Sequence, residues 1–218
     1  MSLPGEVEGA IGSVPGFDSD TTISLALAQQ CYALGYKFCV RYLSLGQEAP
    51  GDLSAQEATD ILNSGLALMP VQHFRTASSP NQSLGRQDGQ NATANAQSVG
   101  FPAGVNLWCD LEGVDPAAQA QDVIAYCEAW YQAVNAAGYV PGLYVGAGAL
   151  LTGQQLYDLS FQHYWQSASI VPDIPTRGYQ LLQLWPPISI NGVWIDLDVA
   201  QNDNLGGQAQ WLRVRAGS

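Results

Sequence analysis

The sequence predicts an α/β fold, an eight-stranded TIM-like (β/α)8 barrel whose later helices are incomplete. Apolar strand patterns and helical patterns alternate along the chain at a spacing of roughly 25 residues, which is typical of repeated β-α units. The chain has 218 residues, of which 47% are hydrophobic, so one ordinary core can be buried. No glycine-rich phosphate-binding loop is present, which removes the main support for a nucleotide-binding fold.

The amino-terminal half begins with a short lead-in segment, residues 1–14, and the single barrel domain is predicted over residues 15–218. Ser19 or Asp20 could cap the first helix, and Ser54 with Glu57 forms the capping box of the second. The predicted elements are a strand at 14–18, a helix at 22–34, a strand at 37–43, a helix at 54–65 and a strand at 66–74.

The carboxyl-terminal half continues the same alternation. Residues 76–89 are rich in Ser, Gln and Gly and predict a long binding loop, which is followed by a helix at 90–99. The tail, residues 202–218, predicts a polar loop with a short closing helix. The elements between them are strands at 105–111, 140–145, 163–166, 179–185 and 192–198, and helices at 116–137 and 150–159.

Two acids end the fourth predicted strand. Because side chains alternate along a strand, Trp108, Asp110 and Glu112 share one face, and the two carboxylates lie roughly 6.5–7 Å apart. Like charges this close, in a drier setting, raise the pKa of one partner. The pair therefore suits acid/base chemistry on a neutral polar substrate such as a sugar. The alternative is that the strand simply reaches water at Asp110.

The charge balance excludes several classes of partner. Net charge is −12, and only seven basic residues are present, so the sequence lacks a nucleic-acid footprint. No apolar run is long enough for a membrane helix, and we expect no membrane insertion. A neutral polysaccharide or oligosaccharide is not disfavoured, and we expect a monomer.

The four cysteines are too few and too scattered for a disulfide scaffold or a zinc site. Each lies within a predicted helix or strand, so buried free thiols are expected. Cys31 and Cys39 form the one pair that could bridge. We expect neither a metal nor a cofactor.

In a (β/α) barrel the carboxyl ends of the strands build the active site, and polar and aromatic residues gather at these positions here. Their order resembles that of the family 25 glycoside hydrolases, the N-acetylmuramidase-type lysozymes, and more closely that of the glycoside-hydrolase-like DUF1906 group. The resemblance covers residues 15–205. It rests on Gly16-Phe17-Asp18, Arg41-Tyr42-Leu43, Leu53-Ser54-Ala55-Gln56-Glu57-Ala58, Asp110-Leu111-Glu112 and Gly138-Tyr139-x-x-Gly142-x-Tyr144.

The resemblance implies a glycosidase that cleaves β-1,4-linked amino-sugar polymers such as peptidoglycan or chitin. It implies Glu112 as the general acid and Asp110 as the carboxylate that supports the charged or oxazolinium-like intermediate. Asp18 and Asp196 would position the substrate and tune those acids. The expected substrate-binding residues are Arg41, Gln72, Tyr144, Trp165, Gln183 and Asp198, the last standing where the lysozymes usually carry Asn.

Two other functions fit the same residues. One is a glycan-binding module that kept the pocket and lost turnover. The other is a metal-dependent hydrolase. The shortage of His beside the acids argues against zinc, while oxygen-liganded Mg²⁺ or Ca²⁺ stays open. Residues 1–11 carry no secretory signal pattern, yet a secreted or cell-wall-associated protein is the expectation from the resemblance.

Overall fold

The computed structural model describes residues 2–10, 12–75 and 79–215, and it confirms the TIM-like barrel. Eight strands, β2 to β9, pair in chain order, and β9 returns to β2 to close the ring. The strands are β1 (Glu6–Gly9), β2 (Val14–Ser19), β3 (Phe38–Leu43), β4 (Ala67–Gln72), β5 (Asn106–Leu111), β6 (Val140–Val145), β7 (His163–Gln166), β8 (Leu181–Ile190), β9 (Val193–Ala200) and β10 (Gln210–Arg213). The helices are α1 (Leu25–Ala33), α2 (Ala55–Asn63), α3 (Gln82–Val99), α4 (Ala120–Ala136) and α5 (Gly153–Asp158).

The later helices are incomplete, as predicted. Helices follow β2 to β6, whereas no helix lies between β7 and β8 or between β8 and β9. Strands β8 and β9 form an antiparallel hairpin, and β9 also runs antiparallel to β2. The amino end of β9 therefore lies at the same rim as the carboxyl ends of β2 to β7. Its register places Asp196 directly opposite Asp18.

The opposite end of the barrel is widened by a strand that was not predicted. The carboxyl end of β4 pairs with the middle of β5, and β10 pairs with the start of β4 through Leu212 and Leu68. The Asn106 side chain accepts a hydrogen bond from the Gln210 backbone at 2.6 Å, which ties β10 to β5. The closing helix predicted in the tail is thus wrong, because the chain there fills the gap between β4 and β5. Residues 6–9 of the lead-in segment add β1 to the outer edge of β10.

Helix α3 begins eight residues earlier than the sequence predicts, at Gln82 rather than 90. The Asn81 side chain caps it by accepting from the Leu84 backbone. Gly85 and Gly89 lie directly against the backbone of α4, where a Cβ would meet a carbonyl oxygen at 2.1 Å and 2.8 Å. These glycines, which favour a loop by propensity, are required by helix packing. Residues 76–78 of the predicted loop lie outside the described residues.

The core supports the expectation for the cysteines, since all four are buried and free. Burial raises the pKa of Cys31 to about 11 and that of Cys39 well above its ordinary value. The thiols are therefore unreactive packing groups. Among the described residues, no helix has the length and apolar character needed to cross a membrane.

Candidate active site

The alternation predicted for the fourth barrel strand holds in the structure. Trp108 faces the interior, where its ring meets that of Trp165 edge-on with centroids 5.9 Å apart. A Cβ on Gly142 of β6 would lie 2.3 Å from the Trp108 ring, so only glycine leaves room for it. Asp110, two residues further on, therefore also points inward, toward the rim.

Asp110 is a buried carboxyl group without a conventional hydrogen bond. Neither of its oxygens has such a partner among the described residues. Burial, followed by the charges of Glu112 and Asp18, raises its pKa well above the ordinary value, and only an interaction with the Tyr42 hydroxyl opposes the rise. The group therefore keeps its proton to higher pH than an exposed aspartate does. A ligand that offers a hydrogen bond or a positive charge would satisfy it.

Glu112 is partly exposed at the rim, and burial raises its pKa. Gly146 at the end of β6 lies against it, so that a Cβ there would be 2.7 Å from Oε2. The glycine leaves the carboxyl group room beside Tyr144. A partly desolvated glutamic acid that solvent can still reach is the form that a general acid needs.

Asp18 lies at the centre of a hydrogen-bond network inside the barrel. The Gln183 amide donates to its Oδ2 at 2.9 Å, and the same side chain accepts from the Tyr144 hydroxyl at 3.0 Å. Burial raises the pKa of Asp18 to about 7, which the Gln183 hydrogen bond partly offsets. Asp196 raises it further. Asp18 is thus poised to change charge near neutral pH.

Asp198 lies deeper, opposite Gly16, and is 1% exposed. Trp165 Nε1 donates to its Oδ1 at 2.9 Å. Burial and then Asp18 raise its pKa well above the ordinary value, whereas its contact lowers the pKa of Asp18. Asp198 therefore keeps its proton to higher pH than an exposed aspartate does. Oδ2 of Asp198 is buried and has no hydrogen-bond partner among the described residues.

An open cavity of about 270 Å³, which we call the acidic hollow, lies at the rim between β2, β3 and the β8–β9 hairpin. Asp196 lines it, and burial, followed by the charge of Asp20, raises the Asp196 pKa. The ring of Trp194 lines it as well and is 64% exposed. The lining residues are Asp18, Ser19, Asp20, Tyr42, Pro187, Trp194, Ile195 and Asp196.

Two predicted substrate-binding residues face away from the interior. Arg41 is fully buried and binds Glu57 of α2 at 2.7 Å. Gln72 donates to Leu45 and Asp88 backbone oxygens and accepts from Trp130. Both side chains are committed to contacts between the barrel and its helices, so the structure does not bring them to the rim. Their role as sugar contacts stays a prediction, and this placement does not support it.

Three others lie in the interior, where two are buried and Gln183 is partly buried. Trp165 is fully buried, and Tyr144 is 6% exposed. Gln183 is bonded at both ends of its amide to Tyr144 and Asp18. Trp165 and Gln183 donate hydrogen bonds to Asp198 and Asp18, whereas the ring at this rim that solvent reaches is that of Trp194.

Tyr42 is the interior residue that sequence reasoning missed. It follows Arg41 and points the opposite way, into the acidic hollow and toward Asp110. Its ring stacks on His73 with 4.5 Å between centroids, and His73 Nε2 lies 2.8 Å from Asp52 Oδ1. The pairing of β3 with β2 could have identified it. Val40 lies opposite Asp18, so Tyr42, two residues further on, faces the same way as Asp18. Among the described residues, no three acids, histidines or cysteines converge on a point where a metal ion could bind.

Solved structures of similar fold include several lysozyme-type proteins. The Tat-secreted protein Rv2525c of Mycobacterium tuberculosis, solved with HEPES, is 16% identical, with a TM-score of 0.65 over 91% of this chain and 99% of that one. A family 25 glycosyl hydrolase from Bacillus anthracis is 17% identical, with a TM-score of 0.60 over 92% and 94%. A muramidase from Trichobolus zukalii is 15% identical, with a TM-score of 0.62 over 85% and 92%.

The curated proteins contain no match to this chain. A family model, described as the Rv2525c-like, glycoside hydrolase-like domain, matches residues 29–190. That span includes β3 to β8 and the Asp110–Glu112 pair, and leaves out Asp18 and the acids of β9. The chain belongs to the Rv2525c-like glycoside hydrolase-like family, as the resemblance predicted.

Proposed function

We propose that this protein is a glycosidase that cleaves β-1,4-linked amino-sugar polymers, either peptidoglycan or a chitin-like chain. The observation that carries the proposal is the pairing of Glu112 with Asp110. One acid is partly exposed at the rim, the other is buried beside it, and burial raises the pKa of both. Most glycoside hydrolases use two carboxyl groups in unequal environments as their catalytic residues.

Glu112 is assigned the role of general acid. It would donate its proton to the glycosidic oxygen as the bond to the anomeric carbon breaks, so that the leaving sugar departs as an alcohol. Asp110, in its ionised form, would support the positive charge that develops on the remaining sugar or on an oxazolinium-like intermediate. Water then attacks the anomeric carbon, and the carboxylate of Glu112 takes up its proton. Asp18 and Asp196 would orient the substrate from the facing strands.

A catalytically inactive glycan-binding barrel is the second candidate. Trp185 and Trp194 on the β8–β9 hairpin are 78% and 64% exposed, and flat aromatic faces at a rim can hold sugar rings without any reaction. Binding of a saccharide with no product after long incubation would favour this function over the first.

The test is hydrolysis of peptidoglycan and of chitin oligomers by the wild type and by Glu112→Gln. We expect the variant to lose about 10²–10⁴-fold in rate, the usual value of a general acid. Glu6→Gln is the matched control, because Glu6 is exposed on β1, at the other end of the barrel. Equal product release by Glu112→Gln and the wild type would remove Glu112 from its role.

We also propose a secreted or cell-wall-associated location and a polysaccharide as the partner. The support is the similar structure described as a Tat-secreted protein, together with the substrate class proposed above. A monomer in solution stays a prediction, which the elution volume of the protein on a sizing column would check.

A further inference from the structure

The acidic hollow is lined by three aspartates and by no basic side chain. Asp18 and Asp196 lie opposite each other on paired strands, and the charge of Asp20 raises the pKa of both. The protein as a whole carries a net charge of −12. A sugar bearing a carboxylate would be repelled both on approach and in the hollow. A sugar bearing a positive charge would be attracted in both places.

The hollow also has an aromatic wall, formed by Trp194. Its volume of about 270 Å³ corresponds to the space of about nine water molecules. Trp194 and Asp196 lie on the same face of β9, because they are two residues apart, and both line the hollow. A ring stacked on Trp194 would therefore present its substituents to the Asp196 carboxylate.

A second observation points to a missing ligand at this rim. Asp110 is 5% exposed and points into the barrel interior, and both its oxygens lack a hydrogen-bond partner among the described residues. Tyr42 lines the hollow, and its interaction with Asp110 lowers the Asp110 pKa. A buried, unpartnered carboxyl group is costly unless a bound molecule completes it. A ligand with hydrogen-bond donors or a positive charge would therefore stabilise the acids of β2, β5 and β9.

A bare metal ion is not such a ligand. Among the described residues, no group of three potential ligands lies close enough together to coordinate one ion. A larger molecule that carries a positive charge can instead span the separated carboxylates. An ammonium group on a sugar ring has three donors and fits this requirement.

We infer that the acidic hollow is a subsite for a hexosamine unit with a free ammonium group, within a β-1,4-linked amino-sugar chain that is at least partly de-N-acetylated. The pyranose face stacks on Trp194, and the ammonium group donates to Asp196 and Asp18. This inference rests on the proposed function in taking the ligand to be a β-1,4-linked sugar. It concerns binding alone, so it can fail while the hydrolase assignment stands.

The experiment is calorimetric titration of the Glu112→Gln protein, in which cleavage is suppressed, with two oligomers of equal length. One is β-1,4-linked glucosamine and the other is β-1,4-linked N-acetylglucosamine. We expect the glucosamine oligomer to bind at least about tenfold more tightly, since hydrogen bonds to charged groups contribute about 1.5–3 kcal/mol. Added salt should weaken binding of the glucosamine oligomer and leave that of the acetylated one nearly unchanged.

Three further variants assign the preference to the hollow. Asp196→Asn should abolish most of the preference for the glucosamine oligomer, because it removes the carboxylate to which the ammonium group would donate. Trp194→Ala should weaken both oligomers. Asp60→Asn, which makes the same charge change on α2 away from the hollow, should leave the preference intact. Equal or tighter binding of the acetylated oligomer, no binding of either, or a preference that survives Asp196→Asn would each overturn the inference, whatever the hydrolysis assay shows.

Discussion

The Gln183 amide of β8 donates to Oδ2 of Asp18 on β2 at 2.9 Å, across the interior of the barrel. This bond stabilises the charged form of Asp18 and so lowers its pKa, against the burial that raises it to about 7. The same amide accepts from the Tyr144 hydroxyl, which fixes its orientation. One neutral side chain therefore sets the charge of an acid that lies opposite Asp196.

Replacing Gln183 by Met should raise the Asp18 pKa above about 7, because the hydrogen bond that favours the carboxylate is lost. Carbon-detected NMR titration of the aspartate carboxyl groups measures the shift directly. Gln154→Met removes a comparable bond to Asp158 at an exposed site and should leave Asp18 unaffected. A pKa that stays the same in Gln183→Met would show that the bond does not control Asp18.

Asp18→Asn should stabilise the protein at neutral and alkaline pH. The folded pKa of Asp18, about 7, lies above its ordinary value of 3.8, so the folded state binds the proton more tightly than the unfolded state. The stability that the group contributes is complete below about pH 3.8 and is lost as pH rises through about 7. The loss is on the order of 4 kcal/mol as an upper value, from about three units of pKa.

Urea unfolding of the wild type and of Asp18→Asn at about pH 8 and at about pH 5 checks this sign. The variant should be the more stable protein at the higher pH, and its advantage should shrink at the lower one. A difference between the two proteins that does not vary with pH would contradict the raised pKa.

Arg41→Met should destabilise the fold by about 3–5 kcal/mol, because it leaves the buried Glu57 carboxylate without its cation. Chemical unfolding followed by circular dichroism measures the change. Arg86→Met, the same replacement at an exposed position of α3, should cost less than about 0.5 kcal/mol. A mild effect of Arg41→Met together with loss of sugar binding would instead restore Arg41 to the site.

Gly146→Ala should reduce hydrolysis by about 10²-fold, because the new Cβ would lie 2.3 Å from Glu112 Cβ and must displace that acid. Gly46→Ala is the matched control, since its nearest neighbour is the Asn91 side chain at 4.0 Å. Initial rates on the same polymer compare the two. Wild-type rates in Gly146→Ala would show that the position of Glu112 is unimportant for turnover.

Much of the site could be predicted from the sequence, because an acid at the end of an apolar strand has few explanations. Asp18, Asp110 and Glu112 point inward as the alternation of side chains requires. Arg41 and Tyr42 could not be told apart in this way. Strands covered on both faces bury both sets of side chains, so the polar residue of such a pair need not be the inward one. The paired partner of Arg41, Glu57, is visible only once α2 is placed beside β3.

The acids of β9 show a second limit. A barrel of repeated β-α units places them at the carboxyl end of a parallel strand, whereas β9 runs the other way. Asp196 still reaches the rim, but Asp198 lies deeper and not nearer to the surface. The segments between β7 and β8 and between β8 and β9 have no helical sequence pattern. This lack of a connecting helix favours an antiparallel hairpin of β8 and β9. Strand β10 gave no such signal, since four residues carry little periodicity.

Strand β10 fills the gap between β4 and β5, and β1 runs antiparallel along the outer edge of β10, on the side away from the acidic hollow. Glu6 at the start of β1 and Arg213 at the end of β10 therefore lie side by side. A tether, a tag or a fused module joined at either position would lie on the side of the barrel away from the acidic hollow. Attachment to a bead or a cell surface by that route would keep the sugar-facing rim open, and a short linker between the two positions would permit a circularly permuted protein with new ends elsewhere.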